Sequence, residues 1–108
     1  TIIENNVKID CNVRLGHDVH LHEAAEILGC AIVAGYCEIG AYSVIAINAT
    51  LKNRTIVGEH CYVGMGSVVH HNVSDRFVIS GSPAMSMEKI GRKKVLELKL
   101  KELIRKFD

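Results

Sequence analysis

At 108 residues, 48% hydrophobic and 23% charged, the chain has material for one compact unit and none for a second of ordinary size. Thirteen Lys and Arg against 12 Asp and Glu give +1, which lacks the basic excess of a nucleic-acid binder. Apolar runs fall far short of the ~20 residues of a membrane span, and no charged-then-apolar leader opens the chain.

The expectation is therefore a soluble, cytoplasmic protein with no nucleic-acid partner and no membrane span. Its start at Thr1 without a Met points to a fragment or a processed product. Cys11, Cys30, Cys37 and Cys61 include no C-x-x-C pair, and in such a chain they read as reduced, small apolar residues.

From Ile3, every sixth residue is aliphatic: Ile3, Ile9, Leu15, Leu21, Ile27, Val33, Ile39, Ile45, Leu51, Val57, Val63 and Val69. Four residues after each of the first eleven stands a small or β-branched residue, from Val7 and Val13 through Ala25, Cys37 and Ser43 to Ser67. A period of six with alternation inside each unit excludes a helix and describes a short strand, a corner, and a repeat. Three such units make one triangular coil of 18 residues, and stacked coils pair at ~4.8 Å as in any parallel sheet. The fold class is an all-β solenoid, a parallel β-helix of about four coils.

After Val69 the rhythm breaks at His70-His71-Asn72, and residues 77–84 return as one extended segment. Pro83, which has no amide hydrogen, is expected to stop the ladder. From Ser86, the spacing of Met87, Ile90, Leu96, Leu100, Leu103 and Phe107 predicts an amphipathic helix packing on the coils or on a neighbouring subunit. The expected organisation is a β-helix domain over 1–85 and a helix over 86–108.

A solenoid interior filled in single file by side chains leaves no room for substrate, so chemistry must lie outside. Flat faces and open ends favour closure against identical copies, and a three-sided prism favours a homotrimer with clefts between subunits. The densest polar cluster is Gly16-His17-Asp18-Val19-His20-Leu21-His22-Glu23, with three of the six histidines. With positions 15 and 21 inward, His17, Asp18, His20 and His22 fall at corners or face outward. Stepping by 18 puts His17, Gly35, Asn53 and His71 in one column and Cys11, Gly29, Ile47 and Met65 in the neighbouring one.

Gly16-His17-Asp18-Val19, Ala34-Gly35 one coil later, the rungs Ile39-Gly40, Val57-Gly58 and Val63-Gly64, and the closing Gly81-Ser82-Pro83-Ala84 together resemble the hexapeptide-repeat acyltransferase superfamily. The likeness is to its sialic-acid O-acetyltransferase and bacillosamine N-acetyltransferase type. It implies a left-handed coil and transfer of an acetyl group from acetyl-CoA to a hydroxyl or amine of a sugar or nucleotide-sugar. It implies His17 as general base, with Asp18 or an acidic residue across the interface to orient it, and acetyl-CoA contacts at Gly35, Ile47 and Met65. Histidine suits the step because neutral imidazole accepts a proton near pH 7. The pattern departs at Gly16, where the family has an acidic residue, at Glu26, where it has a histidine, and at Met85, where arginine is common.

Two other readings stand beside this one. His17 and His22, five apart, resemble the ligand pair of the γ-class carbonic anhydrases, with Cys11 as a conceivable third zinc ligand. A β-helix wall can also be a non-catalytic assembly surface. The main reading assigns no metal.

Overall fold

In a computed structural model, which describes residues 1–82 and 84–106, the six-residue rhythm becomes a stack of two-residue strands. They are β1 (Ile2–Ile3), β2 (Lys8–Ile9), β3 (Arg14–Leu15), β4 (His20–Leu21), β5 (Glu26–Ile27), β6 (Ile32–Val33), β7 (Glu38–Ile39), β8 (Val44–Ile45), β9 (Thr50–Leu51), β10 (Ile56–Val57), β11 (Tyr62–Val63) and β12 (Val68–Val69). Each pairs in parallel with the strand 18 residues on, as in Ile3↔Leu21 and Leu21↔Ile39. Three flat sheets result: β1-β4-β7-β10, β3-β6-β9-β12, and a third that begins β2-β5-β8-β11.

The second residue of each strand points inward. Leu21, Ile27, Val33, Ile39, Ile45, Leu51, Val63 and Val69 are fully buried, and the small residues Ala25, Ala31, Ser43, Ala49 and Ser67 fill the space beneath the corners. Where that position is polar the hydroxyl is satisfied. Ser43 Oγ donates to the Gly58 carbonyl at 2.6 Å and accepts from the Cys61 amide at 3.0 Å. In the first coil, Ile3 and Ile9 are 51% and 41% exposed.

Corners turn through a residue in the left-handed region, at Asn6, Asn12, Asp18, Ala24, Cys30, Tyr36, Tyr42, Asn48, Arg54 and His60, with φ between 53° and 65°. Half of them, Ala24, Cys30, Tyr36, Tyr42 and Arg54, are not the residue types that favour this conformation. From Ala24 on, inter-coil amide bonds pin them, such as Tyr36 N to His17 O and Arg54 N to Gly35 O, both 2.9 Å. These bonds compensate the intrinsic cost of the corner.

The solenoid does not end at Val69. Val73 bridges Val57, and β13 (Val78–Gly81) pairs with β11 as Tyr62↔Val78 and Val63↔Ile79. The offset is 16 residues, so a fifth coil forms with one corner two residues short. Val73 and Ile79 are buried in it, and Asn72 Oδ1 accepts from the Ile56 amide at 2.9 Å. The expected single extended segment over 77–84 is instead a hairpin. After Gly81 the chain returns as β14 (Ala84–Ser86), antiparallel to β13, so the ladder acquires an antiparallel edge. Pro83 itself lies outside the described residues.

Helix α1 (Met87–Lys106) follows at once. Ser86 caps it, its Oγ accepting from the Lys89 amide at 3.2 Å. Glu88 suits the positive end of the helix dipole and pairs with Arg92 one turn on. The start of the helix lies against β13 and β14, but farther along Leu96, Leu100 and Ile104, one turn apart on the same line, are 54–65% exposed. Phe107, placed on that stripe from sequence, lies outside the described residues. Extents of 59 × 23 × 21 Å fit five coils and a 20-residue helix of about 30 Å set end to end. Among the described residues no helix is long and apolar enough to cross a membrane.

Candidate active site

The two corner columns flank one face of the prism, the sheet β3-β6-β9-β12. The inter-coil bonds already described stack positions 17, 35 and 53. Cys30 N to Cys11 O (3.1 Å), Asn48 N to Gly29 O (3.0 Å) and Gly66 N to Ile47 O (2.8 Å) stack 11, 29, 47 and 65. Ile47 and Met65 stand out from their column, 44% and 69% exposed, with half-exposed Ile32 on the face between the columns. His71 leaves the first column because the short fifth coil begins there, and it lines a hollow between that coil and α1 with Phe77, Ser86 and Lys89.

His17 projects from the corner between β3 and β4, with 71% of its side chain exposed. Asp18 takes φ 55°, and its Oδ2 lies 3.1 Å from His17 Nδ1. A carboxylate only accepts, so Nδ1–H donates and the ring's lone pair falls on Nε2. Asp18 is itself 61% exposed, so the pair adds little stability. Its effect is to fix the tautomer and the ring direction.

The ring lies over Gly35. A β-carbon at residue 35 would come within 2.9 Å of Nε2 and 3.0 Å of Cε1. Gly35 has no left-handed φ, so the turn does not demand glycine; its missing β-carbon is what leaves the His17 ring its present position. Gly16 serves the level below, since a β-carbon there would stand 2.4 Å from the Gly35 nitrogen. The departure at residue 16 therefore has a steric cause: an acidic side chain would be driven into the next coil's backbone.

Two further residues complete the corner. Tyr36 meets His17 edge-to-face, with ring centroids 4.9 Å apart at 89°, and the Arg54 guanidinium sits 4.4 Å over the Tyr36 ring. Such contacts contribute on the order of 1 kcal/mol each at exposed sites. Sequence reading missed both, although the 18-residue step from Asp18 through Tyr36 to Arg54 was available to find them.

His22 does not join His17. It turns to the outer side of β4, where His20 Nε2 lies 2.6 Å and His22 Nδ1 2.9 Å from Glu4 Oε2, and His22 Nε2 lies 2.6 Å from Glu38 Oε1. The histidine pair expected for a carbonic-anhydrase-like zinc site is thus divided between two clusters, and the group of potential metal ligands among the described residues is Glu4, His20 and His22. The hydrogen bond from His20 is the main influence holding the Glu4 carboxyl below its ordinary value, helped by the charges of His22 and His20 and opposed by desolvation.

No family model matches the chain. It is 28% identical over 75 residues to the UDP-3-O-acylglucosamine N-acyltransferase of Janthinobacterium sp. (strain Marseille), covering 69% of this chain and 21% of that protein. Among solved structures, Neisseria gonorrhoeae serine acetyltransferase superposes with a TM-score of 0.64 at 21% identity, over 76% of this chain and 38% of that one. That likeness shows the fold, a left-handed parallel β-helix. The acetyltransferase domain of PglB from N. gonorrhoeae FA1090, solved with acetyl coenzyme A, matches with a TM-score of 0.51 at 19% identity, over 79% of this chain and 56% of that one. The chain spans about a fifth to a quarter of the length of the curated relatives it first matches.

Proposed function

We propose that this chain forms the catalytic β-helix of an acetyl-CoA-dependent acyltransferase that acetylates a hydroxyl or amine of a sugar or nucleotide-sugar, of the sialic-acid O-acetyltransferase and bacillosamine N-acetyltransferase type. The observation that carries this reading is the His17 ring: exposed on a corner, its Nδ1 engaged by Asp18, and its Nε2 free above a glycine. That is the arrangement a general base needs.

In the proposed reaction the acceptor attacks the thioester carbon while Nε2 takes its proton. The tetrahedral intermediate collapses, the C–S bond breaks, and the imidazolium returns the proton to the departing thiolate of CoA. No acyl-enzyme forms. Asp18 keeps the tautomer, and the Gly35 amide, one coil on from the base, would serve the oxyanion. Ile47 and Met65, apolar and exposed at successive rungs, offer contacts to the pantetheine arm. A homotrimer would close the groove along β3-β6-β9-β12 with a second copy, and a cytoplasmic setting would supply acetyl-CoA.

The test is incubation with acetyl-CoA and a panel of amino-sugar nucleotides and sugar alcohols, with mass spectrometry of the products. An acetylated acceptor formed with stoichiometric CoA release supports the reading. Absence of CoA binding, measured by calorimetry on the same preparation, overturns it.

A further inference from the structure

Glu4, His20, His22 and Glu38 are not used by the proposed reaction, yet they are arranged more closely than surface groups need be. His20 and His22 lie two apart on and just beyond β4, so both side chains leave the same face of the sheet. Their rings stack, with centroids 3.9 Å apart at 17°. Glu4 comes from the coil below and Glu38 from the coil above, because β4 lies between β1 and β7.

We infer that Glu4, His20 and His22 form a site for a divalent transition-metal ion of the Zn²⁺ class. Glu4 Oε2, His20 Nε2 and His22 Nδ1 would be the ligand atoms, and Glu38 would be the carboxylate that orients His22. The candidate donor atoms all lie within 4.8 Å of one another, so small side-chain adjustments bring them to the roughly 2.0–2.2 Å bonds of zinc to histidine and carboxylate. Glu38, 2.6 Å from His22 Nε2, would hold that nitrogen as carboxylates hold the far nitrogen of metal-bound histidines, directing Nδ1 to the ion.

Electrostatics favours an ion at the same point. A neutral imidazole has one N–H, so His22 can donate to Glu4 or to Glu38 but not to both. A positive charge at Nδ1, whether a second proton or a bound cation, makes both contacts favourable. Two carboxylates against a dication give a neutral site with two neutral imidazoles. Three protein ligands leave a position open to solvent or to a neighbouring copy.

This inference does not rest on the acyltransferase reading, because none of these residues contacts His17 in the arrangement described. Its test is titration of chelator-treated, tag-free protein with Zn²⁺ by calorimetry and with Co²⁺ by visible absorption. One ion per chain is expected, with a rise in Tm on saturation, and at least tenfold weaker binding in Glu4→Gln, His20→Ala and His22→Ala. His17→Ala should bind as the parent does. Glu4→Gln guards against misfolding as an explanation, since Glu4 is exposed and near-isosteric with its replacement. Stoichiometric binding that survives both His20→Ala and His22→Ala, or its absence in the parent, would overturn the site.

Discussion

The imidazole of His17 rests on the α-carbon face of Gly35, so near that a methyl group at residue 35 would stand 2.9 Å from Nε2. The clash would be with a mobile, exposed side chain and not with backbone. Gly35→Ala should therefore leave the melting temperature nearly unchanged while turning the ring away from the groove. Turnover should fall at least tenfold, a loss in line with small displacements of a catalytic group. Steady-state kinetics beside a thermal melt separates the two effects, and loss of stability without loss of turnover contradicts the account.

Gly16 should behave in the opposite way. Its added β-carbon would meet the Gly35 nitrogen at 2.4 Å, and neither backbone can move without opening the ladder. Gly16→Ala should cost about 1–3 kcal/mol, the usual range for overpacking. Gly29→Ala, whose nearest contact would be 3.6 Å, should be close to neutral. Denaturant midpoints for the two variants check the contrast.

Ser43 occupies the register where Ala49 stands one unit later and Ala25 one coil earlier, so size alone would allow alanine. The Cys61 amide, however, finds its acceptor in Ser43 Oγ at 3.0 Å inside the core. Ser43→Ala leaves that N–H without a partner, at a cost of about 1–3 kcal/mol. Chemical denaturation with an unchanged m-value is the expected result.

The thiols should divide into two classes. Cys11 and Cys30 are exposed, while Cys37 and Cys61 are buried. Burial pushes the Cys37 thiol up, partly offset by backbone hydrogen bonds. A raised folded value means that the thiol's contribution to stability is complete below the unfolded thiol range, about 8.5. It is lost as pH rises through the folded value, when the unfolded chain ionises first. Ellman titration at pH 8 should count two fast thiols in folded protein and four after unfolding. Cys37→Ala should flatten the alkaline decline in Tm.

Much of the fold was legible because the six-residue rhythm states which side chains face inward. A one-residue slip would turn every aliphatic from Ile3 to Val69 out to solvent. The fifth coil was hidden because its corner is two residues short, so Val73 and Ile79 fall off the period although they continue two of the inner columns. The hairpin was missed because β14 reverses onto β13 with no hydrophobic alternation to announce it. The helix stripe was legible from its spacing, but apolar spacing names a face that wants covering and not what covers it.

At the candidate site, the corner position of His17 followed from Leu15 and Leu21 pointing inward. Gly35 beneath it followed from the 18-residue step. The Tyr36 and Arg54 stack lay on the same 18-residue step from Asp18, but the step gives the column and not the contact its side chains make. Nor did the parting of His22 from His17. Proximity along the chain suggested a pair, but alternation along β4 aligns His22 with His20, and pairing with β1 and β7 supplies both carboxylates.

The most direct measurement is acetyl transfer by His17→Ala, with circular dichroism and CoA affinity on the same protein. If Nε2 takes the acceptor's proton, turnover falls by ~10²–10⁴ while spectrum and CoA binding hold, because a side chain 71% exposed contributes little to the core. Parent-like turnover in that variant would contradict the account.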